Sequence, residues 1–252
     1  MSSKYLLECC VDSVESAIHA EEGGADRLEL CANLVIGGTT PTTALFHAVR
    51  KAVAIKIHVL VRPRFGDFLY SACEAEIICD EIRTLRDAGA DGIVVGSLLP
   101  DGSLNLEQLK RFLDCAGTLP VTLHRAFDMC RDPFCALEQA KVLGIRTVLT
   151  SGQAPSCAAS PSRMKQLCHA AGNDITILAG AGITEEAVKL LLRETPLTAF
   201  HMSGKKIISS GMTYRNPQVS MGLPGMSEYD IWQTDATQVR AVRRLLDEAG
   251  LL

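Results

Sequence analysis

Eight short apolar runs, each followed by a stretch of helical periodicity, recur along the whole sequence, and no other feature narrows the possible folds as far. They occupy residues 6–11, 27–31, 57–61, 92–97, 121–127, 147–151, 176–179 and 199–203. Separations of roughly 20 to 35 residues hold one strand, one helix and two loops, the size of a unit that returns a parallel strand to its sheet. Punctuation between the runs supports the same division. Asp12 to Glu15 and Ser71 to Glu74 have the form of capping boxes, and Asp132 before Pro133 and Ser160 before Pro161 set a cap ahead of a ring with helical φ. Gly23, Gly89, Gly117, Gly144 and Gly172 close helical stretches, where a residue without Cβ lets the chain turn left-handed.

An open doubly wound sheet would carry a glycine-rich turn after its first strand, whereas the turn here reads CVDSVES. The expectation is therefore one α/β domain over residues 1–252, a closed (β/α)8 barrel of the TIM type with its functional surface at the C-terminal ends of the strands. A 47% hydrophobic but only 5% aromatic composition suits the aliphatic core of a helix-wrapped parallel sheet. Residues 205–233, rich in Gly, Ser, Met and Pro, break the rhythm before a last helix at 235–249, and read as an insertion forming a lid or an oligomer contact.

A net charge of −4 provides no global positive field for nucleic acid or an anionic membrane surface, so small partners are expected. Polar and acidic residues interrupt the N-terminal MSSKYLLECC before a signal peptide could form, and no apolar run reaches membrane-spanning length. The ten cysteines then read as free thiols in a reducing compartment. The cytoplasm is the expected location, with the nucleus left open, and a homo-oligomer is the expected assembly. Zinc-finger spacings, CxxC and HExxH are all absent.

LLECC and LELC each contain Glu-x-Cys, and period-two alternation puts Glu8 with Cys10, and Glu29 with Cys31, on one face of neighbouring strands. Turned inward, Cys10 and Cys31 would offer a two-thiolate site suited to soft, low-coordinate Cu(I); by spacing alone they read rather as small buried hydrophobes. Charged residues on strands need partners, and Glu8, Glu29, Arg62 and Arg125 invite two readings. One is mutual Glu–Arg pairing across the mouth. The other is an anion-binding or acid–base site, with Glu8, Glu29, His124 and Asp128 as catalytic candidates and Arg62 and Arg125 gripping a small phosphorylated or carboxylated metabolite. His58 sits earlier on its strand and reads as structural. Gly180 and Gly182 after the seventh run, and Ser203 and Gly204 after the eighth, lie where many barrels cradle a phosphate on backbone amides, with Lys205 and Lys206 adding positive charge.

The segments LECCVDSVESA, GGADRLELCANL, RPRFGDFLYS, HRAFDMCRDP, LTSGQ and GMTYRN together resemble the CutC family of copper homeostasis proteins over residues 5–232. The resemblance implies an α/β barrel, copper as partner, and Cu(I) held by one cysteine after each of the first two strands, which are Cys10 and Cys31 here. Glu8, Glu29, Arg62, Arg64, Asp67, His124, Arg125, Asp128 and Ser151 also fall on the family's motifs and imply a pocket of unassigned ligand. Where the family carries a second glycine in PRGGDF this chain has Phe65, and Cys9 beside Cys10 is a further departure. The residues alone leave open whether the chain binds copper, catalyses, or serves as a scaffold.

Overall fold

A computed structural model describes residues 4–222 and 225–251. Met1 to Ser3, where the terminal stretch begins, and Leu223 and Pro224, within the expected insertion, lie outside the described residues, as does Leu252. Eight parallel strands close on themselves in chain order: β1 (Leu6–Val11), β2 (Arg27–Leu30), β3 (Lys56–Leu60), β4 (Gly92–Val95), β5 (Val121–Leu123), β6 (Thr147–Thr150), β7 (Thr176–Ala179) and β8 (Ala199–Met202). Helices follow them in turn: α1 (Val14–Glu22), α2 (Thr43–Ala52), α3 (Ala72–Asp87), α4 (Leu106–Ala116), α5 (Pro133–Leu143), α6 (Pro161–Ala171), α7 (Glu185–Glu194) and α8 (Ala236–Gly250). This is the expected (β/α)8 TIM barrel.

Strand alternation sorts the apolar residues into two cores. Outward positions such as Leu7, Leu28, Ile57 and Phe200 join the inner faces of the helices, among them Phe46, Ile78 and Phe112, in one cluster between strands and helices. Inward positions build the barrel interior in levels. Leu149, Leu178 and Ala199 form one level, and Cys10, Cys31, Leu60 and Val94 form another toward the C-terminal ends.

Several local expectations change. Run 92–97 ends as a strand at Val95, and run 121–127 ends at Leu123, where the His124 ring accepts from the Ala126 amide and residues Arg125–Met129 turn into a 3₁₀ helix. Arg125 and Asp128 therefore sit on a loop. Ser13 caps α1 by accepting from Ser16, while the Asp12 carboxylate accepts from the Leu34 amide instead. Ser71 and Glu74 do form the capping box, and Asp132 caps α5. Ser160 makes no cap bond, since its hydroxyl donates to the Ser151 carbonyl. Gly23 has φ −72° and Gly24 takes the left-handed turn at +92°; Gly23 serves close packing, since a Cβ there would lie 2.5 Å from Val239 on α8.

Between β8 and α8 the chain forms an antiparallel hairpin of β9 (Lys205–Ser209) and β10 (Asp230–Thr234), with Ile207 opposite Trp232. The Lys205 ammonium lies 3.6 Å from the centre of the Trp232 ring. Among the described residues no helix is long and apolar enough to cross a membrane.

Candidate functional site

The register of three adjacent strands decides what faces the interior. Cys10 pairs with Glu29 across β1 and β2, Glu8 pairs with Arg27, and on the other flank Glu8 pairs with His201 of β8. Two acids, a thiol, a guanidinium and an imidazole are thus stacked on one stretch of inner wall. Glu8 is only 1% exposed and must be paired. Arg27 Nε donates to one of its carboxylate oxygens at 2.5 Å, and His201 Nδ1 meets the other at 2.7 Å. Burial works against the Glu8 charge, but Arg27 and then His201 outweigh it and hold the carboxyl down at about 2.

An ionised Glu8 only accepts, so His201 Nδ1 carries a proton and the lone pair of the neutral ring falls on Nε2. That nitrogen is 3.7 Å from a Glu29 carboxylate oxygen. Burial opposes a charged His201, yet Cys10, Glu29 and the hydrogen bond to Glu8 raise its pKa well above the ordinary value. Glu29 is pushed up, chiefly by burial. The Cys31 thiol donates toward the same Glu29 carboxylate, with Sγ 3.5 Å from Oε2, and burial followed by the Glu29 charge pushes it well up, leaving it protonated. Cys10 Sγ donates to the Met202 carbonyl at 3.6 Å. The Cys10 sulfur, a Glu29 oxygen and a His201 nitrogen all lie within 4.8 Å of one another, close enough to share one ion.

This trio forms one side of a cavity of about 510 Å3 at the C-terminal ends of the strands. A family model described as the CutC family matches residues 5–206. The chain belongs to the CutC family. It is 43% identical over 242 residues to the copper homeostasis protein cutC homolog of Homo sapiens, covering 96% of this chain and 89% of that one. The CutC family protein of Bacteroides fragilis strain YCH46 is 41% identical over 244 residues, covering 96% of each. The crystal structure of a CutC protein from Streptococcus agalactiae superposes with a TM-score of 0.75 at 27% identity, covering 79% of this chain and 98% of that one.

In this CutC-family barrel, Cys10, Glu29, Arg62, His124, Arg125, Gly182, Ser203 and Gly204 all line the cavity. Cys31 lies just behind, in the apolar cluster that also holds Cys10. Glu8, Asp128, Ser151 and Gly180 are not among the lining residues. Glu8 supports His201 from below, and a Cβ on Gly180 would lie 2.6 Å from Leu149, so this glycine serves interior packing. Asp128 accepts from Ser151 N and Oγ, Thr150 Oγ1, Gln153 N and Arg125 Nε. Those donors belong to its own loop, to the end of β6 and to the loop that follows it, which is the pattern of a loop brace.

The expected Glu–Arg pairing across the mouth is not the arrangement found. Glu8 pairs with Arg27, Arg125 pairs with Asp128, and Arg62 instead donates to the carbonyls of Gly37, Gly38 and Gly66 while lying 5.0 Å from the Phe68 ring. Two inward glycines of and after β4 make room for histidines. A Cβ on Gly92 would lie 2.6 Å from the His58 ring, and one on Gly96 would lie 2.5 Å from the His124 ring. Burial holds both rings neutral, His58 at about 4 and His124 at about 3. Sequence reasoning missed Arg27 and His201. Each sits at an inward position by strand alternation, but pairing His201 with Glu8 requires β8 to meet β1, a contact that only closure creates.

Proposed function

We propose that this chain handles copper by binding it as Cu(I) at the mouth of its barrel. The observation that carries the reading is the buried cluster of Cys10, Glu29 and His201, where the first two strands meet the last in a CutC-family chain. A soft, low-coordinate ion favours sulfur and imidazole over carboxylate, so Cys10 Sγ and His201 Nε2 are its primary ligands, each releasing its proton to solvent as the ion binds. Glu8 fixes the His201 tautomer from behind, as carboxylates commonly do for metal-bound histidines. Cys31 supplies a second sulfur once it loses its proton, and Glu29, already hydrogen-bonded to that thiol, is placed to accept it. The human relative is named as a copper homeostasis protein, which agrees with this chemistry.

All ten cysteines are free thiols, which suits a reducing compartment, and the reading places the protein in the cytoplasm. Lys205, Trp232 and Gln233 of the hairpin line the cavity, which supports a lid role for the segment; its exposed Ile207, Met212 and Tyr214 support self-association.

Anaerobic titration with Cu(I) against a chromophoric chelator tests the reading. Wild-type protein is expected to take up one copper per chain, with at least tenfold weaker binding in Cys10→Ala and in Cys31→Ala. A Cys10→Ala, Cys31→Ala double variant that competes as well as wild type would reject it.

A further inference from the structure

Outside the barrel, between α3 and α4, lies a pair of thiols that the copper site does not use. The two helices run in the same direction, and two hydrogen bonds fix their register. Arg111 Nη2 on α4 donates to Glu76 Oε1 on α3 at 2.5 Å, and farther along Arg86 Nη1 on α3 donates to the Cys115 carbonyl at 2.7 Å. Cys79 follows Glu76 by three positions and Cys115 follows Arg111 by four, the two spacings that keep a residue on one helix face. One turn beyond the Glu76–Arg111 contact, the two cysteines are therefore set against each other.

Both belong to the apolar cluster between strands and helices, with Cys79 fully enclosed and Cys115 at the edge, 8% exposed. Burial, and then the hydrogen bond with the Cys115 thiol, push the Cys79 thiol up to about 11, so it rests protonated. Arg111 and Arg83 act in the opposite sense, and the Arg111 guanidinium feels both sulfurs. A thiol at an edge beside a guanidinium is the kind that oxidants reach, and here a second thiol waits behind it.

We propose that Cys79 and Cys115 form a redox-responsive pair, which hydrogen peroxide converts to a disulfide cross-linking α3 to α4. The Cys115 sulfur attacks one peroxide oxygen, the O–O bond breaks, and the departing hydroxide takes the thiol proton and leaves as water. The Cys115 sulfenic acid so formed is then attacked by the Cys79 sulfur. The S–O bond breaks as the S–S bond forms, and the second hydroxide takes the Cys79 proton and leaves as water. The two sulfurs together lose two electrons and the peroxide gains them. Because the second thiol is already in contact, Cys115 is diverted to the reversible disulfide before it is oxidised further. The pair lies outside the barrel interior, and the proposal does not rest on copper binding.

The experiment treats the full chain, reduced and freed of metal, with hydrogen peroxide. Remaining thiols are blocked with iodoacetamide in denaturant, and tryptic peptides are mapped by mass spectrometry without reduction. Fragmentation separates Cys79 from Cys73, which share a peptide. A linkage between Cys79 and Cys115 is expected, at least tenfold more abundant than any other linkage of Cys79 and abolished by dithiothreitol. In Cys115→Ala, Cys79 is expected to stay an alkylated thiol at the same dose. The proposal is overturned if both cysteines are recovered as thiols at a dose that oxidises the exposed Cys73 and Cys135, if Cys115 is recovered chiefly as sulfinic acid, or if Cys79 links chiefly to another cysteine.

Discussion

Glu8 joins the two halves of the buried network, holding Arg27 through one carboxylate oxygen and His201 through the other. Glu8→Gln keeps its shape and removes its charge. Copper affinity is expected to fall 10- to 100-fold, the range for loss of a carboxylate behind a metal-bound imidazole, as read by competition with a Cu(I) chelator. Urea denaturation of the same variant should show a loss of about 3 kcal/mol or more, because Arg27 is left buried without its counter-charge. Asp128 makes a contrasting case, since its partners belong to its own loop, the end of β6 and the loop after it. Asp128→Ala strands several buried donors and is expected to cost about 3 kcal/mol in denaturant unfolding, with copper affinity unchanged within about twofold. The alternation of Glu-x-Cys showed which of these residues share a face; it could not show that Asp128 turns away from the cavity, which follows from the loop after β5 folding onto the loop after β6.

At the scale of elements, β4 shows how glycine placement shapes the interior. Gly92, Val94 and Gly96 are successive inward positions, and the two glycines leave the volume that the His58 and His124 rings occupy. Gly96→Ala would set a Cβ 2.5 Å from the His124 ring and 2.8 Å from the Ala126 side chain. It is expected to lower stability by about 2 kcal/mol through overpacking, and the Gly96→Ala, His124→Ala double variant should lose less than the sum of the two single losses. Thermal melts of the three proteins check this. Element starts were legible in the sequence because caps such as Ser71 and Asp132 act locally. Element ends were less so: β5 stops at Leu123 because the His124 side chain caps the following turn, a choice that apolar patterning does not record.

For the molecule as a whole, the buried histidines set an acid limit. The unfolded chain protonates its histidines near pH 6.5, while folded His58 and His124 stay neutral down to about 4 and about 3. Between these values the unfolded state binds more protons, so stability is full above the unfolded value and declines as pH falls. His201, with its raised pKa, acts in the opposite sense, losing its contribution only as pH rises through its folded value. Each neutral ring is expected to account for about 2 kcal/mol of lost stability by roughly pH 5. The melting temperature should drop on going from neutral pH to roughly pH 5, and drop less in His124→Gln; an equal drop in both proteins would show that His124 does not titrate in this way. What the sequence determined by itself was the order of eight strand and helix units, their caps and the parity of each inward residue, because these depend on neighbours a few positions apart. What the tertiary structure decided was which inward residues meet. Cys10 donates to the Met202 carbonyl across 192 positions, and His201 reaches Glu8 across 193. Both contacts exist because the last strand of a closed sheet must pair with the first, a condition on the whole chain that no local pattern contains.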